Sequence, residues 1–348
     1  MAGTDTAVVR LSELEHGQEA FCYAALVKKE RGIDKHDKPY VKCYFRDKRA
    51  TMVAPFWASN AMREEAETWA EGLAYRLRVK CRWEVRYGPQ IDVLECRAAE
   101  EADADDGYDF ADLVESSNFP VEVMYRSILD RIDRYVLDPH LKRLVTTILD
   151  GHAPLFKKMP AAQNFHHGYT AGLLEHVWSM TRIAGVLADH YAHYYRTLNP
   201  PLTKGVVVAA TILHDIGKLR ELDYHPVETR YTKEGQLIGH VMMGRDLVRD
   251  TARAIDGFPE ETLLLLEHAI LSHHGKREFG APIVPLTLEA LLVSFIDDLD
   301  AKMNIAAQHR LKSGPEGEFT DKVYALEGRR FYKGIPLELP TEDLGTLP

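Results

Sequence analysis

The stretch Leu213-His214-Asp215-Ile216-Gly217-Lys218 closes an apolar run that begins at Val206. Such a run reads as a buried helix, and ionisable groups at its end need partners to offset desolvation. A divalent metal suits an adjacent histidine and aspartate, because imidazole nitrogen and carboxylate oxygen both ligate transition metals. Two residues alone decide little. What matters is whether other segments supply further ligands.

Four other segments do. His176 follows Gly172-Leu173-Leu174-Glu175 inside a helical pattern, and His240 comes just after Ile238-Gly239. His273-His274-Gly275 closes another helical segment, and Asp297-Asp298-Leu299-Asp300 interrupts the apolar helix from Leu291 to Ile305. Separations of 38, 25, 33 and 23 residues are those of successive helices each delivering a residue to one centre. Helical bundles build metal sites in that way. Any one of these histidines reads as an ordinary structural residue; their recurrence against apolar helix faces points to a metal centre.

The surrounding pattern is helical almost throughout after Pro120. Candidate helices are Val121–Val136, His140–Leu149, Tyr169–Ala192, Leu202–Leu213, Gln236–Ile255, Glu260–Leu271 and Pro285–Leu311. Gly and Pro punctuate several of the gaps. The tail from Ser313, with several Pro and Gly, reads as irregular.

The first hundred residues differ. Phe21–Val27, Tyr40–Arg46 and Tyr75–Tyr87 alternate with period two, as half-buried strands do. Gly88-Pro89-Gln90 turns the chain into Ile91–Leu94, a hairpin partner. A helical segment lies between Trp57 and Gly72. Strands, a helix and a closing hairpin in this span match an OB-type five-stranded barrel, a fold that binds single-stranded nucleic acid across a strand face. Tyr40, Lys42, Tyr44 and Arg46 put aromatic rings and cations on one face, which is what stacked bases and phosphates need. From Lys28 to Arg49 there are nine basic and four acidic residues, a local basic cluster. A merely solvated outer face is the plainer reading of each residue singly; the clustering favours a nucleic-acid role.

The fold class is therefore multi-domain, all-β plus all-α, with the barrel over 1–100, an acidic linker over 101–119, a helical domain over 120–312 and a tail over 313–348. At 348 residues the chain is long enough for two cores. The net charge of -10 sits almost wholly after residue 100, so a polyanion ligand requires local clustering of cations. Cys22, Cys43, Cys81 and Cys96 form no C-x-x-C pair, and read as buried thiols in a reducing compartment. No stretch approaches a membrane span and the start lacks a signal-peptide core, so no membrane partner and a cytoplasmic location are expected. Homo-oligomerisation is left open.

The order His…His-Asp…His…His-His…Asp resembles the HD-domain metal-dependent phosphohydrolases. Phe165-His166-His167, Gly172–His176, Leu213–Lys218, Leu271–Gly275, Glu278-Phe279-Gly280 and Asp300–Met303 narrow it. With an OB domain in front, they resemble the YhaM-type bacterial 3′–5′ exoribonucleases over roughly residues 15–310. The resemblance implies that His176, His214, Asp215 and Asp297 hold one metal, and that His240, His273 and His274 complete or create a second site. Asp297 is preferred to Asp298 and Asp300 because the family's closing carboxylate usually follows a small or apolar residue, here Ile296.

One or two divalent transition-metal ions are implied, manganese first, with Fe, Co, Ni or Zn also compatible with N/O ligands. Asp215 suits a shared position, because a carboxylate can bridge two ions and an imidazole cannot. Lys218, one turn beyond His214, reads equally as a solvent-facing lysine or a phosphate contact; the resemblance tips it toward catalysis alongside Asp215. His166 and His167 would touch substrate phosphate or orient a ligand, and Glu175 would support a ligand or face away. Single-stranded RNA as substrate, with DNA also admitted, and the 3′–5′ polarity come from the resemblance alone. Competing readings are a phosphohydrolase of small nucleotides or cyclic dinucleotides, and a non-catalytic nucleic-acid-binding module.

Overall fold

Period-two alternation in the first hundred residues becomes a closed barrel. The computed structural model describes residues 8–84, 88–162, 167–227, 229–314 and 317–335. Strands β1 (Glu19–Ile33), β2 (Pro39–Arg46) and β3 (Thr51–Phe56) precede a short helix α1 (Arg63–Thr68), then β4 (Ala74–Glu84) and β5 (Gly88–Ala98). They close in the order β1-β2-β3-β5-β4, with β4 pairing back onto β1. That is an OB-type barrel. β1 serves two neighbours along its length: Glu19–Ala25 pair with β4 and Ala25–Ile33 with β2, with a register shift between Leu26 and Lys28 inside the second pairing.

The expected inward phase of β2, Val41, Cys43 and Phe45, is fully buried, and so are Leu77, Val79 and Cys81 of β4. Phe45, Phe56 and Tyr75 pack around Trp69, which follows α1. Of the expected strand Tyr75–Tyr87, residues 85–87 lie outside the described residues. Burial pushes the Cys22 and Cys43 thiols up to about 12, as befits inert core thiols.

The chain divides into two compact units, Met1–Ser116 with His225–Thr229, and Ser117–Tyr224 with Arg230–Pro348. The acidic run after β5 is more ordered than its composition suggests. It forms 3-10 turns at Glu101–Asp106 and Phe110–Asp112. Arg97 donates to both Asp103 oxygens, while Leu113 and Val114 are buried with Tyr23, Ala25 and Ala74.

The second unit is helical: α2 (Val121–Tyr135), α3 (Pro139–Phe156), α4 (Gly172–Tyr194), α5 (Lys204–Leu213), α6 (Lys218–Glu221), α7 (Lys233–Ile238), α8 (His240–Arg253), α9 (Glu260–Ser272) and α10 (Leu288–Lys312). α5 is apolar from Val206 to Leu213 except for Thr211, whose hydroxyl donates to the Val207 carbonyl, and every one of those residues is buried. It is accordingly the axis of the unit, packed by α2, α3, α4, α9 and α10. The single expected helix Gln236–Ile255 is two, because Gly239 at φ 81, ψ 151 breaks it. A two-stranded ribbon, β6 (Leu222–Asp223) with β7 (Arg230–Tyr231), was not expected from the pattern. Among the described residues no helix is long and apolar enough to cross a membrane.

Candidate metal centre

The end of α5 delivers His214 and Asp215 into the interior, where they are 0% and 2% exposed. His214 Nδ1 lies 2.8 Å from the Thr211 carbonyl. A carbonyl only accepts, so that nitrogen carries the proton and Nε2 keeps its lone pair. His273, which caps α9, repeats the arrangement, with Nδ1 2.7 Å from the Ile270 carbonyl. His240 opens α8, and its Nδ1 and backbone N–H both lie 2.9 Å from Glu221 Oε1. His176 of α4 sets Nδ1 2.7 Å from Asp300 Oδ2. In each ring Nδ1 is held by an oxygen and Nε2 turns inward, the orientation seen when imidazoles serve as metal ligands.

Asp215 stands between two groups. Its Oδ2 is 3.3 Å from His214 Nε2 and 3.9 Å from His176 Nε2. Its Oδ1 is 3.4 Å from His240 Nε2 and 3.7 Å from His273 Nε2. Asp297 Oδ1 closes the first side, 3.2 Å from His176 Nε2 and 3.9 Å from His214 Nε2. His274 closes the second, beside His240 and His273. Three sets of donors converge in this way: His176, His214 and Asp297; His214, Asp215 and His273; and His240, His273 and His274.

Whether these residues suit a metal can be judged from their unmet bonding. Among the described residues, Nε2 of His214, His240 and His273, Oδ1 of Asp215 and Nδ1 of His274 are buried without a hydrogen-bond partner. Leaving one buried polar atom unsatisfied costs about 1–3 kcal/mol, and here five converge. Mixed imidazole and carboxylate donors fit a divalent transition ion.

The electrostatics agree. Burial opposes ionisation of Asp215, but Lys218, His214 and His240 hold its carboxyl well below the usual range. Burial likewise opposes Asp297, and His176 and His214 prevail. Burial lowers His273 and His274, leaving them as neutral donors. His176 goes the other way: burial is outweighed by Asp297 and Asp300, which raise it to about 9.

Two glycines let the elements approach. A Cβ on Gly217 would lie 2.0 Å from the His240 carbonyl oxygen and 2.6 Å from the Gly244 nitrogen. A Cβ on Gly172 would lie within 1.9 Å of the His167 carbonyl oxygen.

On the barrel, Tyr40, Lys42, Tyr44 and Arg46 occupy the outward phase of β2, each half-buried. Tyr40 lies against Gly32, and its ring is 5.2 Å from that of Trp57, which is 45% exposed. Lys42 sits 5.4 Å over the Tyr40 ring. Arg46 and Tyr44 are engaged within the unit, Arg46 Nη2 donating to the Val227 carbonyl and the Tyr44 hydroxyl to Glu30. Tyr40, Lys42 and Trp57 lie together on this side of the barrel.

The HD domain model matches residues 173–302, and a second model, TraI_2, matches residues 120–219. The 3′–5′ exoribonuclease YhaM of Bacillus subtilis (strain 168) is 32% identical over 324 residues, covering 92% of this chain and 96% of that protein. The chain belongs to the YhaM-type family. Its helical unit is an HD domain. Two solved structures of replication protein A from Methanococcus maripaludis each match 27% of the chain, one a domain and one the second OB-fold domain. They are 14% and 15% identical, cover 98% and 96% of their own chains, and have TM-scores of 0.22 and 0.21.

In this YhaM-type chain the structure gathers all seven sequence-expected ligand positions and separates the three aspartates. Asp297 faces the cluster, Asp298 pairs with Lys302 at the surface, and Asp300 stands behind His176. Lys218 is buried, not solvent-facing, with Nζ 2.6 Å from Asp215 Oδ2. His167 is also buried, bonded to Asp300 at 3.1 Å and to the Tyr169 hydroxyl at 3.0 Å. Both of its ring nitrogens are thus engaged inside the unit, while His166 lies outside the described residues. Glu175 turns toward His167, at 3.8 Å. Glu221 and Ser179 carry no motif signal and escaped the sequence reading; Ser179 Oγ donates to Asp300 Oδ1 at 2.5 Å.

Proposed function

We propose that this chain is a metal-dependent 3′–5′ exoribonuclease that hydrolyses single-stranded RNA, with residues 1–100 holding the strand and residues 120–312 cleaving it. The observation that carries this reading is the convergence of unpartnered donor atoms on Asp215, within a chain 32% identical to a 3′–5′ exoribonuclease. His176, His214, Asp215 and Asp297 are assigned to one ion, and His240, His273 and His274 with Asp215 to a second. A divalent ion there, manganese first, supplies charge neutralisation at the scissile phosphate and an acidified water.

The remaining roles belong to the chain. The Thr211 and Ile270 carbonyls and the Glu221 and Asp300 carboxylates fix which nitrogen of each histidine is free. Asp215 offers one oxygen to each side of the cluster. Lys218, close enough to share Asp215, holds its ammonium where a phosphate oxygen can take it up, stabilising developing negative charge. Tyr40 and Trp57 offer a ring pair for base stacking, and Lys42 a cation for phosphate.

The assignment is tested by elemental analysis of the purified protein alongside RNA-binding measurements. Transition metal is expected in the wild type and a large loss in His214→Ala and Asp215→Ala, with RNA affinity retained. Full metal content in both variants would refute the ligand assignment.

A further inference from the structure

The loop that follows His273 and His274 carries a motif the metal assignment leaves unused, Glu278-Phe279-Gly280. After His274 the chain turns at Gly275, φ 73, forms a 3-10 turn over Arg277–Phe279 and turns again at Gly280, φ 94. Backbone hydrogen bonds hold these turns. The Lys276 N–H donates to the His274 carbonyl at 2.8 Å, and the Phe279 and Ala281 N–H groups donate to the Lys276 carbonyl at 3.0 and 3.2 Å. The second turn comes back to the cluster: a Cβ on Gly280 would lie 3.5 Å from His274 Nδ1, so the backbone next to Phe279 runs beside a candidate ligand ring.

Phe279 is 59% exposed, so its ring adds little to the core. Lys276 Nζ stands 5.3 Å from the centre of that ring, and Arg277 is exposed beside it. Against these two cations the turn holds one carboxylate, Glu278, 3.5 Å from Lys276. An apolar ring held in water by an ordered turn, flanked by cations, is placed for a ligand with a flat face and a negative charge. A base with its phosphate is such a ligand. Stacking also tolerates any base, because every base has a π-face, and an enzyme that shortens a strand must accept each nucleotide in turn.

We propose that Phe279 stacks on the 3′-terminal base of the strand and so holds the last phosphodiester at the metal cluster. This role rests on the reading of the chain as a 3′–5′ exoribonuclease. The test uses manganese-loaded full-length protein and two 5′-end-labelled oligoribonucleotides, identical except that one ends in an abasic ribose. Stacking on an aromatic side chain is worth about 5- to 150-fold per base. Wild-type protein is therefore expected to remove the base-bearing terminus at least fivefold more efficiently, in kcat/KM, than the abasic one. Phe279→Ala is expected to lose that preference through KM, with metal content and unfolding temperature unchanged, and Phe279→Trp to keep it. Equal removal of both termini by the wild type, a preference that survives in Phe279→Ala, or one absent from Phe279→Trp would each overturn the role of Phe279 alone. A wild type that leaves the base-bearing strand whole would refute the exoribonuclease reading and this role with it.

Discussion

Glu221 is where the metal assignment is most exposed to disproof. Its Oε1 takes two hydrogen bonds from one residue, the His240 backbone N–H and Nδ1–H, both at 2.9 Å. Burial opposes its ionisation, but the His240 contacts hold its carboxyl below the usual range. Glu221→Gln keeps the shape and an acceptor oxygen while removing the charge that makes the His240 ring a stronger donor. Replacing such a supporting carboxylate weakens metal binding by about 10–100-fold, or roughly 1.4–2.7 kcal/mol. The loss should fall on one ion only, because His176, His214 and Asp297 do not touch Glu221. Titration of metal-stripped protein with manganese, followed calorimetrically, is expected to show one weakened and one unchanged class of site. Two unchanged classes would refute the role given to Glu221 and to His240 with it.

Three further outcomes follow from the geometry. Gly217→Ala would drive a Cβ into the His240 carbonyl and the Gly244 nitrogen, both backbone, so a loss of about 1–3 kcal/mol in urea unfolding is expected; an unchanged midpoint would show that α8 can shift freely. Tyr40→Ala with Trp57→Ala is expected to weaken single-stranded RNA binding by about 1–3 kcal/mol per base released, leaving metal content intact; unchanged affinity in fluorescence anisotropy would discard the platform. In metal-free protein the His176 pKa is raised to about 9, so its contribution to stability is full below about 6.5 and is lost as pH rises through about 9. Added metal must displace that proton, so the metal-induced rise in unfolding temperature should grow over the same interval; a rise independent of pH would contradict a ligand role for His176.

Three of the candidate ligands, His214, Asp215 and His273, were legible because α5 and α9 announce their own ends. His214 and Asp215 close an apolar run, and His273 precedes a glycine at φ 73 that stops α9. The barrel was legible from alternation alone, since Val41, Cys43 and Phe45 can be buried only if Tyr40, Lys42, Tyr44 and Arg46 point outward. Choices that depend on tertiary neighbours were not legible. Asp297 and Asp300 both fall on the inward side of α10, and only the position of His176 between them sets the carboxylate facing the cluster apart from the one behind that ring. Arg46 looks like Lys42 in sequence, yet it is spent on the carbonyl of Val227, 181 residues away. Glu221 was invisible because its partner is reached only after Gly239 breaks the helix and turns His240 inward.

The most direct measurement is the product pattern from a 5′-end-labelled single-stranded oligoribonucleotide, incubated with manganese-loaded protein and with its Asp215→Asn variant. Wild-type protein is expected to give a ladder of progressively shorter labelled strands, and the variant is expected to leave the strand whole. Release of a labelled mononucleotide at the outset, or equal shortening by both proteins, would contradict hydrolysis from the 3′ end at a centre built on Asp215.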